Sequence, residues 1–335
     1  MSPAETRFTL GLLAMDGAMA SCYTGVMDLL KIAQKLARLR DPATPLRLET
    51  VLVGARGQAS ITIDGGLVMG PVQSSDRALD LLLVPGFMHD SVGDAFRRIA
   101  GYGPEIELLR AVSLRGVPLA ANCCGSLLLA EAGLLDGRGA TTSWWLDGAF
   151  RERFPRVRLD VQRMVCDEGD IATTGASTAV MGYVLQVLAR VADPALAQNT
   201  ARMMLLDPDR SSQAPYISLA LSERPRHSLS EKAEGFLQRE LHRDLSITEL
   251  ARHCGTSERS LLRHFRQHFD ATPLARLQYL RVERAKALLE TTLLSFDEIV
   301  ERCGYSDSSS FRKLFKRATS LTPADYRERF RLRPH

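Results

Sequence analysis

Two stretches near the end of the chain share one layout, and few folds accommodate it. The first runs Ser246-Ile-Thr-Glu-Leu-Ala-Arg-His-Cys-Gly-Thr-Ser-Glu-Arg-Ser-Leu-Leu-Arg-His-Phe265. The second runs Ser295-Phe-Asp-Glu-Ile-Val-Glu-Arg-Cys-Gly-Tyr-Ser-Asp-Ser-Ser-Ser-Phe-Arg-Lys-Leu-Phe315. Each has an apolar helix face, a Cys-Gly stop, a polar restart and a second helix ending in basic residues and phenylalanine. Ser246 with Glu249, and Ser295 with Glu298, have the three-residue spacing of a capping box, in which hydroxyl and carboxylate satisfy the open N–H groups of a helix start. Gly255 and Gly304 stop the first helices, and Ser257 and Asp307 can cap the second ones. A helix-turn-helix that occurs twice points to sequence-specific duplex DNA.

On such a motif the second helix meets base edges, while phosphate contacts fix its position. In the first unit Glu258, Arg259, Leu262 and Arg263 are the expected exposed residues, with Arg259 and Arg263 one turn apart on one face. Either arginine can reach guanine or phosphate. In the second unit Ser308, Ser309 and Arg312 take this place, with Lys313 near the duplex. Serine discriminates bases weakly, so phosphate positioning or shape readout is expected to weigh more there. Arg266, Lys316 and Arg317 read as backbone contacts. Between the units, Pro273–Leu289 reads as one long helix carrying Arg276, Arg281, Arg284 and Lys286. A rigid connector of this kind suits two adjacent major grooves, ~34 Å apart.

The chain has 335 residues, 45% of them hydrophobic, enough for two domains with real cores. Its net charge of +4 says little until it is divided. Residues 226–335 carry 21 Lys and Arg against 15 Asp and Glu, whereas the residues before them carry 22 against 24. A basic last third behind a near-neutral front suits a DNA-binding unit joined to a domain with another task. The six cysteines form no Cys-x-x-Cys repeat and no His/Cys metal pattern, so no metal and no cofactor is expected. There is no charged leader and no run long enough to cross a bilayer; the expected setting is the reduced cytoplasm, with no membrane partner. Cys254 and Cys303, beside the turn glycines, read as small buried hydrophobes.

The front alternates strand and helix signals. Phe8–Ala14, Leu48–Gly54, Ala78–Val84, Val117–Ala121 and Ile171–Gly175 read as strands, and Ile61–Val68 as strand or hairpin. Helices are expected over Tyr23–Leu39, Pro104–Leu114, Ser177–Arg190 and Ala195–Leu206. This is an α/β domain with a mostly parallel sheet, followed by an all-α domain containing two helix-turn-helix units. The expected boundaries are a front domain over 1–206, a polar, proline-punctuated linker over 207–230 interrupted by the apolar Pro215–Leu221, and a DNA-binding domain over 231–330. The late helices of the front offer a dimer surface as readily as ordinary packing against the sheet.

Within the front, Cys123-Cys-Gly follows a buried strand and precedes a helix starting near Ser126. A cysteine at such an elbow faces backbone N–H groups, which lower a thiol pKa; the bland reading is two small residues at a tight corner. Gly86, ending the preceding strand, can place a further N–H nearby. His89 is the one histidine before residue 227 and reads as solvent-facing rather than as half of a Cys–His pair, so no catalytic residue is assigned. Trp144 and Trp145 can line a pocket and offer aromatic faces to a cation, or pack in the core. Gly86, Phe87, Cys123, Cys124, Ser143, Trp144 and Trp145 are thus the candidate ligand-binding residues.

The stretches from Ile247-Thr-Glu-Leu-Ala through Leu321-Thr-Pro-Ala-Asp-Tyr-Arg closely resemble the AraC/XylS family of transcription regulators over about Leu229–Arg329. The resemblance implies that Arg259 and Arg263 face bases, and that Ser308, Ser309 and Lys313 lie toward DNA. The segment from Cys123 to Trp144 resembles the elbow and helix of the DJ-1/PfpI, or class I glutamine amidotransferase-like, fold found in one branch of these regulators. That branch usually has Cys-Thr-Gly and then Thr-Thr-His-Trp; here Cys124 stands for the Thr and Ser143 for the His. Cys22 stands near the place of an acidic residue, flanked by Asp16 and Asp28.

The resemblance therefore implies a sequence-specific regulator, an activator, that binds promoter DNA as a homodimer, contacts RNA polymerase and responds to a small nitrogen-containing metabolite in its front domain. The alternative is a DJ-1/PfpI-type cysteine hydrolase or redox sensor using Cys123.

Overall fold

The computed structural model describes residues 6–42, 46–207, 210–218, 228–269 and 271–331. The chain divides into two compact units, Met1–Gln213 and Ala214–His335.

The front unit begins with β1 (Thr6–Leu13), α1 (Ala20–Arg40), β2 (Leu46–Val53), β3 (Ile61–Thr62), β4 (Val68–Met69), β5 (Val72–Gln73) and β6 (Leu81–Val84). It continues through α2 (Val92–Ile99), α3 (Gly103–Leu114), β7 (Leu119–Asn122), α4 (Ser126–Glu131), β8 (Gly139–Ala140) and α5 (Asp147–Arg153). It closes with β9 (Arg158–Leu159), β10 (Val165–Asp167), β11 (Ile171–Thr174), α6 (Ala179–Val191) and α7 (Pro194–Met203). Seven strands form one sheet in the order β10-β11-β7-β6-β1-β2-β5. Every neighbouring pair is parallel except β10 with β11. The sequence explains why: β6 and β7 are apolar or small at nearly every position and buried at all of them, as strands covered on both faces must be. The β3–β4 pair is the antiparallel hairpin that Ile61–Val68 foreshadows. Helix α2 has no counterpart in the sequence reading; it is eight residues long and starts at Ser91, whose hydroxyl accepts the Asp94 N–H at 3.1 Å.

The polar stretch expected to link the domains is anchored where it is described. Ser211 accepts an H-bond from Met164, Ser212 bridges Arg163, and Gln213 is buried within the front unit. Residues 208–209 and 219–227 of that expected linker, including the end of its apolar patch, lie outside the described residues.

The second unit is all helix: α8 (Ser228–Arg239), α9 (Ile247–His253), α10 (Glu258–Phe269), α11 (Pro273–Thr291), α12 (Phe296–Arg302), α13 (Ser308–Thr319) and α14 (Pro323–Phe330). Both expected capping boxes are formed, at Ser246/Glu249 and Ser295/Glu298, and a third stands at Thr322/Asp325. Asp307 caps α13 through the N–H groups of Ser309 and Ser310. Two cores result. Ala233, Leu237, Leu250, Leu261 and Phe265 form one with Leu277 and Leu280; Ile299, Phe311, Phe315 and Tyr326 form the other with Val282, Ala285 and Leu289. Cys254 and Cys303 are buried one in each. Helix α11 thus spans both cores, and at 1.5 Å per residue it is roughly 28 Å long. Among the described residues no helix is long and apolar enough to cross a membrane.

The two turn glycines differ in their surroundings. Gly255 (φ +65°) has open space where a Cβ would stand, whereas a Cβ on Gly304 (φ +73°) would lie 2.5 Å from the Leu241 carbonyl oxygen. Ala at either position carries the left-handed penalty of about 1–2 kcal/mol, and at Gly304 a backbone clash is added. Urea denaturation is expected to show Gly304→Ala losing clearly more stability than Gly255→Ala; equal losses would contradict the packing described.

Candidate nucleic-acid interface and cysteine elbow

The outer face of α10 carries Glu258, Arg259, Leu262, Arg263 and Arg266, all exposed. Its inner face puts Leu261 and Phe265 into the first core. On α13 the corresponding outer residues are Ser308, Ser309, Arg312, Lys313, Lys316 and Arg317, all exposed except the half-buried Ser308. Each group lies on one side of its helix, and each follows from the cap-and-turn spacing. The two faces are nevertheless not equivalent in detail.

Their first residues are tied back to the preceding helix. The Thr248 hydroxyl donates to the Glu258 carboxylate at 2.6 Å, and the Ser308 hydroxyl donates to the Asp297 carboxylate at 2.5 Å. The same bridge is built twice with donor and acceptor exchanged. Arg312 is also engaged, its guanidinium carbon 4.7 Å from the centre of the Phe296 ring. The connector's cations face inward except Arg284, which is exposed. Arg276 makes a bidentate pair with Glu234 at 3.0 and 2.6 Å. Arg281 is buried and donates to the Leu241 and Arg243 carbonyls, and Lys286 is buried against the Ile217 carbonyl and Glu283. Nothing in the local sequence distinguishes these inward cations from the outward ones.

The front unit brings its expected residues into one cluster. Cys123 directly follows β7 with φ +56°, a left-handed conformation that places its sulfur at the corner. The corner needs its glycines: a Cβ on Gly86 would lie 2.9 Å from the Cys123 Cβ, and one on Gly125 2.5 Å from the Pro85 carbonyl oxygen. Ser143 Oγ lies 2.7 Å from the Cys123 sulfur. The Ser126 and Thr142 hydroxyls both reach the Cys123 carbonyl, at 2.8 and 3.1 Å. The adjacent Cys124 side chain, the Ser143 hydroxyl and the backbone N–H groups of Ser177 and Cys124 favour the Cys123 thiolate against burial and hold its pKa below the ordinary thiol value.

Cys124 is different: it turns to the Phe87 backbone, accepting its N–H and donating to its carbonyl, both at 3.1 Å, and burial pushes its pKa up. Phe87 is itself buried, so Phe87 and Cys124 brace the corner. Trp144 is buried and meets Trp145 edge-on, with ring centres 5.2 Å apart. Trp145 is half-buried, and its indole N–H donates to His89 Nε2 at 3.5 Å. This corrects the expectation for His89: the ring is half-buried against an aromatic neighbour rather than solvent-facing.

Three residues of this cluster escape the sequence reading. Asn122 donates to the Cys22 sulfur at 3.1 Å and to the Ser177 carbonyl at 3.0 Å, and Thr174 donates to its side-chain oxygen. Burial pushes the Cys22 thiol up to about 11. Gln213 accepts the Ala176 N–H and donates to the Thr142, Val161 and Arg163 carbonyls, pinning the two segments that carry Ser143 and Ser177. Asp16 instead accepts the Thr62 N–H, at the β3 hairpin. A hydroxyl at Ser143 can stabilise the thiolate, but it is not a base near neutral pH. Among the described residues no group of three His, Cys, Asp or Glu side chains is placed to hold a metal ion.

The helix-turn-helix domain family matches residues 250–329. The chain is 30% identical over 281 residues to the HTH-type transcriptional regulator CdhR of Pseudomonas aeruginosa, covering 80% of each chain. Among solved structures it is similar to an AraC family transcriptional regulator from Pseudomonas putida, with 20% identity, 59% of this chain and 99% of that chain covered, and a TM-score of 0.48. It is similar also to DJ-1beta of Drosophila melanogaster, with 16% identity, 60% and 98% covered, and a TM-score of 0.47.

Thiolate character sets alkylation rate. The rate of Cys123 modification by iodoacetamide, followed by peptide mass spectrometry, is therefore expected to rise with a midpoint below that of free cysteine, about 8.5. Ser143→Ala is expected to move that midpoint upward, while Cys124 stays unmodified at neutral pH. A wild-type midpoint near 9 would contradict the elbow as described.

Proposed function

This chain belongs to the HTH-type transcription regulators of the AraC/XylS kind with a DJ-1/PfpI-like front domain, and we propose that it is an activator governed by a small nitrogen-containing metabolite held at the Cys123 elbow. That the protein is a DNA-binding regulator follows from its membership. The finer reading rests on the elbow: a sulfur whose thiolate form is favoured stands in the same cluster as the Trp144–Trp145 pair and His89. Aromatic faces and a thiolate both favour a cation. An effector alters output only by binding two states of the protein unequally, so its affinity must change when DNA is bound.

On this reading Arg259, Arg263, Ser309 and Lys313 meet bases or nearby phosphates, while Arg266, Lys316 and Arg317 hold the backbone. Glu258, Ser308 and Arg312 also lie on the DNA face, restrained by the contacts described. Gly86, Phe87, Cys123, Cys124, Ser143, Trp144 and Trp145 make the effector site, and a homodimer places two helical units on paired half-sites. Contact with RNA polymerase belongs to the activator role. Domain limits of 1–206 and 231–330 with a linker between them are part of the same proposal. The hydrolase alternative lacks a base at Ser143, and no observation favours it.

The test is fluorescence anisotropy of the full-length protein on the DNA upstream of its own gene against a scrambled duplex, across a salt series. A sequence preference that betaines or amino acids shift is expected; no preference at any salt would overturn the DNA reading, and no thermal shift with any such metabolite would overturn the effector class. Arg259→Ala or Arg263→Ala should weaken binding to the preferred site by about 1–3 kcal/mol. Lys316→Ala should weaken both duplexes alike and lower the salt slope by roughly one.

A further inference from the structure

The outward face of α10 holds one apolar residue, which phosphate attraction cannot explain. Leu262 is 36% exposed and lies outside the apolar cluster that Leu261 and Phe265 enter. At 3.6 residues per turn, Glu258, Leu262, Arg266, Arg259 and Arg263 fall on one arc of about 140°, with Leu262 between Glu258 and the arginines. An exposed leucine on a polar, cationic face gains nothing from water, and its neighbours are charged on either side.

The second unit makes the contrast. There the position matching Leu262, counted from the capping residue, is Arg312, whose guanidinium lies over Phe296. The rest of that outward face is Ser308, Ser309, Lys313, Lys316 and Arg317, and none of these is apolar. Leu314 on α13 instead packs against the second core. An exposed apolar contact is thus built into one reading helix and not the other.

In the major groove the apolar group that distinguishes base pairs is the thymine 5-methyl. We propose that Leu262 reads a thymine methyl in the groove segment bound by α10, giving the segments read by α10 and α13 different chemistry. Charge complementarity supports the occupant: Arg259, Arg263 and Arg266 surround the leucine with the cations that bring it against a duplex. The proposal rests on α10 being a DNA-reading helix. It goes beyond that reading by naming the group recognised and the groove segment in which it lies.

The test starts from sites that the full-length protein selects out of a random duplex pool. Each thymine of a selected site is replaced singly by deoxyuridine, which removes only the methyl, and affinity is measured for wild type, Leu262→Ala and Leu262→Gln. Burial of one methyl predicts a loss of roughly fourfold for wild type at one or two thymines, all in the groove segments bound by α10. Both variants should be indifferent to deoxyuridine at those positions, while their circular dichroism and melting stay those of wild type. Uniform indifference of wild type, equal sensitivity in the variants, or sensitivity confined to the groove segments bound by α13 would each overturn the proposal. A pool that yields no preferred sequence would instead sink the DNA reading itself, and the proposal with it.

Discussion

A buried guanidinium must find acceptors inside the protein, and Arg281 finds them in backbone carbonyls. It donates to the Leu241 oxygen at 2.8 Å and the Arg243 oxygen at 2.7 Å, and its charge lies 5.0 Å from the centre of the Tyr305 ring. Those partners come from opposite ends of the helical unit. Leu241 and Arg243 precede the first helix-turn-helix, and Tyr305 sits in the turn of the second. Gly304 presses on the same Leu241–His242 backbone, an approach that no Cβ permits. Together with the Arg276–Glu234 pair and the two cores that share α11, this contact sets the distance between the reading helices. Fixed spacing is what two successive grooves demand, so a residue with an inward charge governs how the outward ones are presented.

The parts of the fold legible in the sequence are those governed by neighbours. Capping boxes depend on residues three apart, turns on one glycine, and strands on unbroken apolar runs such as Leu81–Val84. The interactions that escaped are long-range. Arg281 reaches back 38 and 40 residues, and Gln213 reaches back 37 to 71 residues for its principal partners. A cation on α11 looks the same on paper whether it faces water or a carbonyl, and a glutamine in a polar stretch looks like linker. His89 illustrates the same limit: its loop is polar, but Trp145, 56 residues on, covers it.

The elbow in the front unit keeps its backbone while its chemistry departs from the resemblance. The left-handed Cys123, the glycines at 86 and 125 and the hydroxyls on the Cys123 carbonyl hold the sulfur in a defined place. With Ser143 rather than histidine beside the sulfur, the corner stabilises charge without supplying a route for protons. Cys22, near the place where the resembled branch often has an acidic residue, is itself held neutral by burial and accepts from Asn122. In the proposed effector site, a stabilised thiolate of this kind is the charge that a cationic ligand would meet.

The two reading helices diverge by a comparable economy of means. Each begins with a hydroxyl–carboxylate bridge to the helix before it, yet the carboxylate belongs to Glu258 on α10 in one unit and to Asp297 on α12 in the other. The negative charge therefore stands on the reading surface of the first and one helix behind it in the second. A carboxylate there disfavours close phosphate approach and can accept from cytosine, whereas serine is neutral to both. Beside it Arg259 and Arg263 are exposed, while in the second unit Arg312 is stacked on Phe296. Base discrimination in the proposed complex is accordingly concentrated in α10, and α13 contributes mainly register and affinity, which is the division that a single shared scaffold with two different surfaces produces.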